Sequence, residues 1–311
     1  MNIFVTGATG VLGRPVVRLL IGAGHRVYAL SRSEANTTAV RQLGAEPLTA
    51  NLFDRESLFM ALQATRADAI VHLATHIPPT GQVGKRSSWL ENDHLRRDGT
   101  RCLRQAALAT ESVQRFIYPS YAFLYPDSGA NWIDARTTPV QLHPVLYSTL
   151  EAEAAVMHFA SQGRLGVSLR LASLYGPQSG VTREQIDYAH KGLFAVSGSK
   201  VAYFPQLWVQ DAASALLTAL SAEVPSGIYD VADDEPLTRG ELACVLAHAV
   251  GRTHLLPLPG PLMHLFTGIV YELVSRSLRL SNRRFKEVSG WRPLVATARE
   301  GWAHLAQESK P

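Results

Sequence analysis

Cysteine is scarce: Cys102 and Cys244 are the only two in 311 residues. That is too few for a disulfide framework, and their separation matches no metal-binding spacing. A dominant charge of one sign is also missing. The 30 basic and 26 acidic residues leave a formal net charge of +4, with no run of five like charges, so no nucleic-acid partner is expected. Long apolar runs are absent too. The most apolar late stretch, 255–274, is interrupted by Pro257, Pro259, Pro261 and His264, which excludes it as a membrane span. The chain opens on a strand-like run without a basic leader or a small-residue cleavage site, and the expectation is a cytoplasmic protein with no membrane partner. Internal repeats and low-complexity segments are lacking. What is present is a chain that is 46% hydrophobic, enough to bury a large core.

Short β-branched runs alternate with stretches of helical period through the first two-thirds, the pattern of βαβ units around a mostly parallel sheet. Strands are expected at 2–6, 26–30, 46–49, 69–73, 115–118 and 166–171. Val11, Leu12, Val16, Val17, Leu19 and Leu20 recur at helical spacing after the first strand, and Gly24 stops that helix. Beyond residue 172 the pattern loosens into helical periods at 211–221, 239–250 and 261–274, with a strand-like piece at 228–231. The expected architecture is a doubly wound α/β domain over 1–172 and a smaller, mainly helical substrate lobe over 173–311, the chain crossing between them.

Between the first strand and first helix runs Thr6-Gly7-Ala8-Thr9-Gly10-Val11-Leu12-Gly13. Its glycines serve a tight turn, close approach of backbone N–H groups to phosphate, and close packing of helix on strand. The helix N-terminus adds unpaired N–H groups and the positive end of its dipole. Thr9, Val11 and Leu12 together with the three glycines are therefore expected to hold a dinucleotide pyrophosphate. An NAD site usually carries an acidic residue at the end of the second strand to bond the ribose. Here that strand ends Ala29-Leu30-Ser31-Arg32-Ser33. Ser31 and Arg32 suit a 2′-phosphate through charge-assisted hydrogen bonds, so the expected cofactor is NADP(H). Arg14 offers a second cation near phosphate.

With Val71-His72-Leu73-Ala74, Gly99-Thr100, Arg115-Phe116-Ile117-Tyr118, Leu169-Arg170, Leu174-Tyr175-Gly176-Pro177, Trp208-Val209-Gln210-Asp211 and Gly290-Trp291-Arg292-Pro293, the loop resembles the extended or atypical short-chain dehydrogenase/reductase superfamily. Nucleotide-sugar epimerases, dehydratases and related reductases belong to it. The resemblance implies that Asn51 and Leu52 contact adenine and that Leu73, Ala74 and Thr75 line the middle of the cofactor. It also implies a catalytic Ser or Thr, a Tyr, and a Lys four residues later that lowers the phenol pKa. The chain departs from that set. Aligning Leu124-Tyr125 with the family's Val-Tyr pair puts Tyr121 in the Ser/Thr position, next to Ser120. Tyr147 is the suitable Tyr, and Glu151 stands where Lys belongs. A carboxylate there would raise a phenol pKa instead of lowering it.

The expected activity is NADP(H)-dependent oxidoreduction of a small organic carbonyl or alcohol, with Tyr121 or Tyr147 handling the proton. A non-redox isomerase, cyclase or dehydratase, or a dinucleotide-sensing regulator, remains open. His72 and His76 flank a strand end without acidic or Cys companions, so no metal is expected. Ser120 lacks a GxSxG elbow. Tyr121, Phe123, Tyr125 and Trp132 are candidates for a pocket wall, with Asp134, His143 and Tyr175 behind them. The expected partner is a small-molecule substrate, and the expected state is a monomer or homodimer.

Overall fold

The computed structural model describes residues 1–221 and 223–308, so the last three residues of the expected second lobe lie outside the described residues. Seven strands form the central sheet: β1 (Asn2–Thr6), β2 (Arg26–Leu30), β3 (Glu46–Leu48), β4 (Ala69–His72), β5 (Arg115–Tyr121), β6 (Leu165–Leu171) and β7 (Gly227–Val231). Their spatial order is β3-β2-β1-β4-β5-β6-β7, and every neighbouring pair is parallel. Helices cover both faces, which explains why Ile3-Phe4-Val5, Ile70-Val71 and Phe116-Ile117 are continuous apolar runs, all fully buried.

The first helix, Gly13–Gly22, packs Val16, Val17 and Leu20 inward and ends before Gly24, whose φ of +80° suits glycine. Asp54 opens helix Arg55–Thr65 by accepting from the N–H groups of Glu56 and Ser57. Thr238 and Glu241 form a capping box on helix Arg239–Ala249.

Two expectations are corrected. Strand β5 runs three residues past 118, because Pro119, Ser120 and Tyr121 continue in register opposite Leu169, Arg170 and Leu171 of β6; Ser120 and Tyr121 are thus strand residues. The apolar period over 261–274 is two helices, Gly260–Thr267 and Tyr271–Ser275, with a short 3₁₀ turn between them. The break is Gly268, at φ +45°, where a Cβ would come within 2.6 Å of the Gly84 carbonyl oxygen.

Residues beyond β6 form short parallel two-stranded ladders and helices, but β7 returns to the main sheet beside β6. The final helix, Ala298–Glu308, is anchored by Trp302, fully buried with its ring stacked 5.3 Å from Tyr175. Among the described residues no helix is long and apolar enough to cross a membrane. The strand order reverses between β1 and β4. That reversal opens a crevice at the carboxyl ends of the strands, where ligands bind in such sheets.

Candidate dinucleotide and reaction site

The glycine loop leaves β1 at this crevice. Gly7 has φ +72°, and a Cβ on it would lie 2.6 Å from the Leu73 carbonyl carbon; a Cβ on Gly13 would lie 2.0 Å from the Gly7 oxygen. Loop, first helix and the end of β4 are thus pressed together, and only glycine permits it. Gly10 is exposed, and its amide turns back to the Gly7 carbonyl at 3.1 Å. Among the described residues the amides of Val11, Leu12 and Gly13 have no acceptor. The first turn of the helix holds no acidic residue. Arg14 donates from Nε to the Thr9 carbonyl at 3.0 Å, which fixes its guanidinium beside the loop. Free donors, a positive dipole end and a nearby cation fit a pyrophosphate.

At the end of β2, Ser31 is buried and its hydroxyl is occupied by the Ser33 carbonyl and the Thr37 hydroxyl. Arg32 is exposed, and among the described residues it has no ion pair or hydrogen bond. Asn51 is exposed, its Oδ1 accepting from the Phe53 amide at 3.0 Å. Leu52 is buried against Gly99, where a Cβ would sit 3.0 Å from its methyl carbon.

Past β4, Leu73 is buried and bonds through its amide to the Thr6 carbonyl, while the Ala74 amide donates to the Thr6 hydroxyl at 3.2 Å. Thr75 follows, exposed. The Thr6 hydroxyl also bonds His72 Nδ1 at 2.6 Å. Burial, aided by the nearby Arg96 cation, pushes the His72 pKa down to about 3 and keeps the ring neutral. His76 stands outside, its Nε2 3.6 Å from Glu91.

The end of β5 carries the chemistry. Tyr121 is half-buried and stacks on Phe123 with centroids 4.7 Å apart. Burial pushes its phenol up to about 12, opposed by the Arg96 cation, so it stays protonated at neutral pH. Ser120 donates its hydroxyl to Glu153 on helix Tyr147–Ser161. The same carboxylate receives Arg170 of β6 at both oxygens, Nε at 2.9 Å and Nη2 at 2.8 Å. Arg170 in turn lies 5.0 Å over the Tyr125 ring, and the Tyr125 hydroxyl donates to Asp230 of β7 at 2.7 Å. This buried chain ties β5, β6 and β7 together beneath the site. Arg96, also buried, donates to the Tyr118 hydroxyl.

Helix Tyr147–Ser161 turns Thr149 and Glu153, four residues apart, toward the interior. Tyr147 and Glu151, the other i, i+4 pair, face outward. They line a surface cleft of about 490 Å³ with Arg86, Asp93 and Arg97, and Tyr147 is 48% exposed. Ser120 and Tyr121 are thus neighbours at the end of β5, whereas Tyr147 and Glu151 are exposed on their helix. Sequence reasoning passed over Glu153 and Arg170 as its partner; it reads Arg96-Arg97 as a short basic pair on a solvated helix face, whereas Arg96 is buried. A charged residue at 153 within the apolar spacing Ala152, Val156, Phe159 was the available signal. Of the other aromatic candidates, Tyr125 is core and Trp132 is 52% exposed under Arg279. Asp134 accepts from its own loop amides, the His143 ring accepts from the Val145 amide, and Tyr175 packs on Trp302.

The parallel sheet, its crevice and the glycine loop define a Rossmann-type α/β protein. The NAD dependent epimerase/dehydratase family matches residues 3–232, and the chain belongs to that family. It is 28% identical over 316 residues to a 3-diazoavenalumate denitrifying reductase of a Streptomyces species, covering 97% of this chain and 99% of that one. Human epimerase family protein SDR39U1 (isoform 2) with NADPH superposes at a TM-score of 0.83 with 21% identity over 99% of both chains. The UDP-glucose 4-epimerase of Thermus thermophilus with NAD gives 0.76 at 21% identity, over 99% of this chain and 98% of that one. Both structures share the fold, and the expected superfamily and sheet architecture are borne out.

Proposed function

We propose that this protein is a cytoplasmic, NADP(H)-dependent reductase of small organic carbonyl compounds. The observation that carries the reading is the protonated Tyr121 phenol at the carboxyl end of β5, on the edge where the glycine loop and segment 73–75 form a dinucleotide cradle. The full-length reductase relative and the NADPH in the human structural neighbour support it. Residues 1–172 form the cofactor domain and 173–311 the smaller substrate lobe, the chain crossing back so that β7 completes the cofactor sheet, in a monomer or homodimer.

The amides of Val11, Leu12 and Gly13 hold the pyrophosphate. Arg32, with Ser31 shaping its turn, takes the 2′-phosphate, and β2 ends without the acid that an NAD site would place there. Asn51 and Leu52 border the adenine, and Leu73, Ala74 and Thr75 line the path to the nicotinamide. NADPH, when bound, supplies the hydride. Tyr121 donates its O–H to the substrate carbonyl oxygen and releases the proton as negative charge develops there. A phenol whose pKa is pushed up to about 12 is protonated at neutral pH and so holds the proton that the reduction consumes. Ser120, held by Glu153, fixes the strand end that presents Tyr121. Tyr147 and Glu151 stay outside this step.

Loss of NADPH absorbance against a panel of aldehydes, ketones and quinones tests the reading. Turnover is expected, with Tyr121→Phe reducing kcat by about 10²- to 10⁴-fold and Tyr147→Phe leaving it unchanged. Persistent silence with cofactor demonstrably bound overturns the redox reading in favour of an isomerase, cyclase or dehydratase. Full kcat in Tyr121→Phe overturns the assignment of the donor.

A further inference from the structure

The most apolar late stretch of the sequence is not a membrane span, and the cofactor site does not use it. From Thr253 to Tyr271 the chain carries no Asp, Glu, Lys or Arg. Helix Gly260–Thr267, within it, buries only Met263, whereas a surface helix normally turns charged or polar side chains outward. Leu265 is 76% exposed and Phe266 50%, and Leu262 and Ile269 are exposed as well. Two further elements join this surface. The 3₁₀ turn Thr80–Gln82 packs against the helix, and the Ile269 amide donates to the Gly84 carbonyl at 3.3 Å. The Thr80 hydroxyl donates to Glu184 on helix Gly180–His190 at 2.5 Å. Ile77, just before the turn, and Val181, on that helix, are also exposed. Apolar side chains exposed singly need no explanation, but a contiguous group marks a contact surface.

The surface belongs to the reaction end of the crevice. Val270 and Leu273, directly after the helix, are buried with Trp89, Leu124, Val145 and Leu146, and both Tyr121 and Val83 pack against that cluster. Segment 73–89 leaves the carboxyl end of β4, and helix Gly180–His190 follows β6. The Thr80–Glu184 bond therefore joins the two banks of the crevice, and the exposed apolar side chains stand at its mouth. Charge there is nearly balanced. Lys85 and Arg183 are exposed cations on the bordering elements, and Glu184 and Asp187 are exposed acids. The guanidiniums packed on the same segments are spent: Arg86 on Asp93 at 2.6 Å, Arg276 on Glu272 and the carbonyls of Phe123 and Tyr125, and Arg239 on the carbonyls of Tyr203, Val274 and Arg276. A multiply anionic substrate meets few free donors at this mouth, whereas an apolar one gains by burial.

We infer that the substrate is a neutral carbonyl compound with an apolar chain or ring system, and that Ile77, Val181, Leu262, Phe266 and Ile269 hold that part while the carbonyl reaches Tyr121. The chemistry of the inference rests on the reductase reading. The carbonyl carbon gains the hydride of NADPH as a new C–H bond, the C=O π pair moves to oxygen, and that oxygen takes the Tyr121 proton. Solvent restores the phenol, and NADP⁺ is left. Contacts to the non-reacting part are alike in ground and transition states, so they act mainly on KM.

The test measures binding and turnover separately in the full-length protein. Binding uses the aryl ketone 6-propionyl-2-(dimethylamino)naphthalene, whose emission shifts to the blue in apolar surroundings, titrated into protein saturated with NADP⁺. Saturable binding is expected, displaced by octan-2-one and not by UDP-glucose. Phe266→Ser and Leu262→Ser should each weaken it by about 3- to 10-fold, and Met60→Ser, at an exposed apolar residue of helix Arg55–Thr65, should not. In NADPH oxidation kcat/KM should rise about two- to fourfold per methylene from butanal to octanal, and Phe266→Ser should flatten the series. Unchanged ketone affinity in both serine variants, displacement by UDP-glucose as effective as by octan-2-one, or a flat aldehyde series in the parent overturns the inference. So does sedimentation showing that the variants dissociate a parent dimer or abolish binding to phosphatidylcholine–phosphatidylglycerol vesicles, because the surface then belongs to a second copy or to lipid. Ketone binding that depends on Phe266 and Leu262 in a protein that never consumes NADPH upholds the apolar site and defeats the reductase reading, so the two failures are distinguishable.

Discussion

Arg32 and Arg170 show how the same side chain takes different work from its surroundings: Arg170 is buried and held by Glu153. Arg32 is exposed at the end of β2 with no protein partner among the described residues, so its charge is available to a ligand. A charge-assisted hydrogen bond to phosphate contributes about 1.5–3 kcal/mol. Arg32→Ala is therefore expected to weaken NADPH binding by roughly 10- to 100-fold, with NADH binding unchanged, as measured by fluorescence titration of both nucleotides. Equal affinities for NADPH and NADH in the intact protein would remove Arg32 from the 2′-phosphate site. The glycine loop and the acid-free strand end were legible in the sequence because each lies in contiguous residues: a glycine spacing that dictates its turn, and a β2 that runs out into Ser31-Arg32-Ser33. Ser31 is the exception. Its type suits phosphate, but its hydroxyl is already spent on Ser33 and Thr37, which only the folded turn shows.

Among the elements, helix Tyr147–Ser161 separates what periodicity reveals from what packing decides. Spacing identifies Tyr147 with Glu151 and Thr149 with Glu153 as equally good i, i+4 pairs. Which pair faces the sheet depends on contacts with β5 and β6, whose partners lie 33 and 17 residues away in Ser120 and Arg170. A local reading selects the aromatic pair, whereas burial selects the other. The consequence is measurable. Glu153→Ala leaves Arg170 buried without its anion, and is expected to destabilise the fold by about 3–5 kcal/mol, read from denaturant midpoints. Adding Arg170→Met removes the stranded charge and should recover most of the loss. A double variant as unstable as the sum of the two single variants would show that the pair is not coupled. The break at Gly268 was hidden for the same reason, since its cause is Gly84, far away in the chain.

For the whole molecule, the parallel sheet followed from the βαβ alternation, but the strand order and the return of β7 to the sheet did not, and β7 brings Asp230 beneath the site. Asp230 accepts from the Tyr125 hydroxyl and from the Ala135 amide at 2.6 Å. Burial nevertheless pushes its pKa up to about 7, against those bonds and the Arg170 cation. Asp233, beyond the end of the same strand, is raised well above the carboxylate range, also by burial. A carboxyl whose folded pKa exceeds its unfolded value stabilises the fold fully below the unfolded pKa, and that contribution is lost as pH rises through the folded pKa. His72 works in the opposite sense. Held neutral with a pKa near 3, it costs stability as pH falls below 6.5, where the unfolded ring gains a proton. Between pH 4 and 6.5 the two effects oppose each other and flatten the profile. Above 6.5 the histidine contribution is complete, and the folded state still binds part of the Asp230 proton that the unfolded chain has released. Thermal stability is therefore expected to decline from about pH 6.5 to just above 7, inside the range where a protein of ordinary carboxylates would be flat. Asp230→Asn should remove the part of the decline that ends near pH 7. Below 6.5 the same variant should show a steeper rise of Tm with pH, because the histidine effect is no longer masked. Parallel profiles for parent and Asp230→Asn would mean that Asp230 is ionised throughout, and that its hydrogen bonds to Tyr125 and Ala135 outweigh its burial.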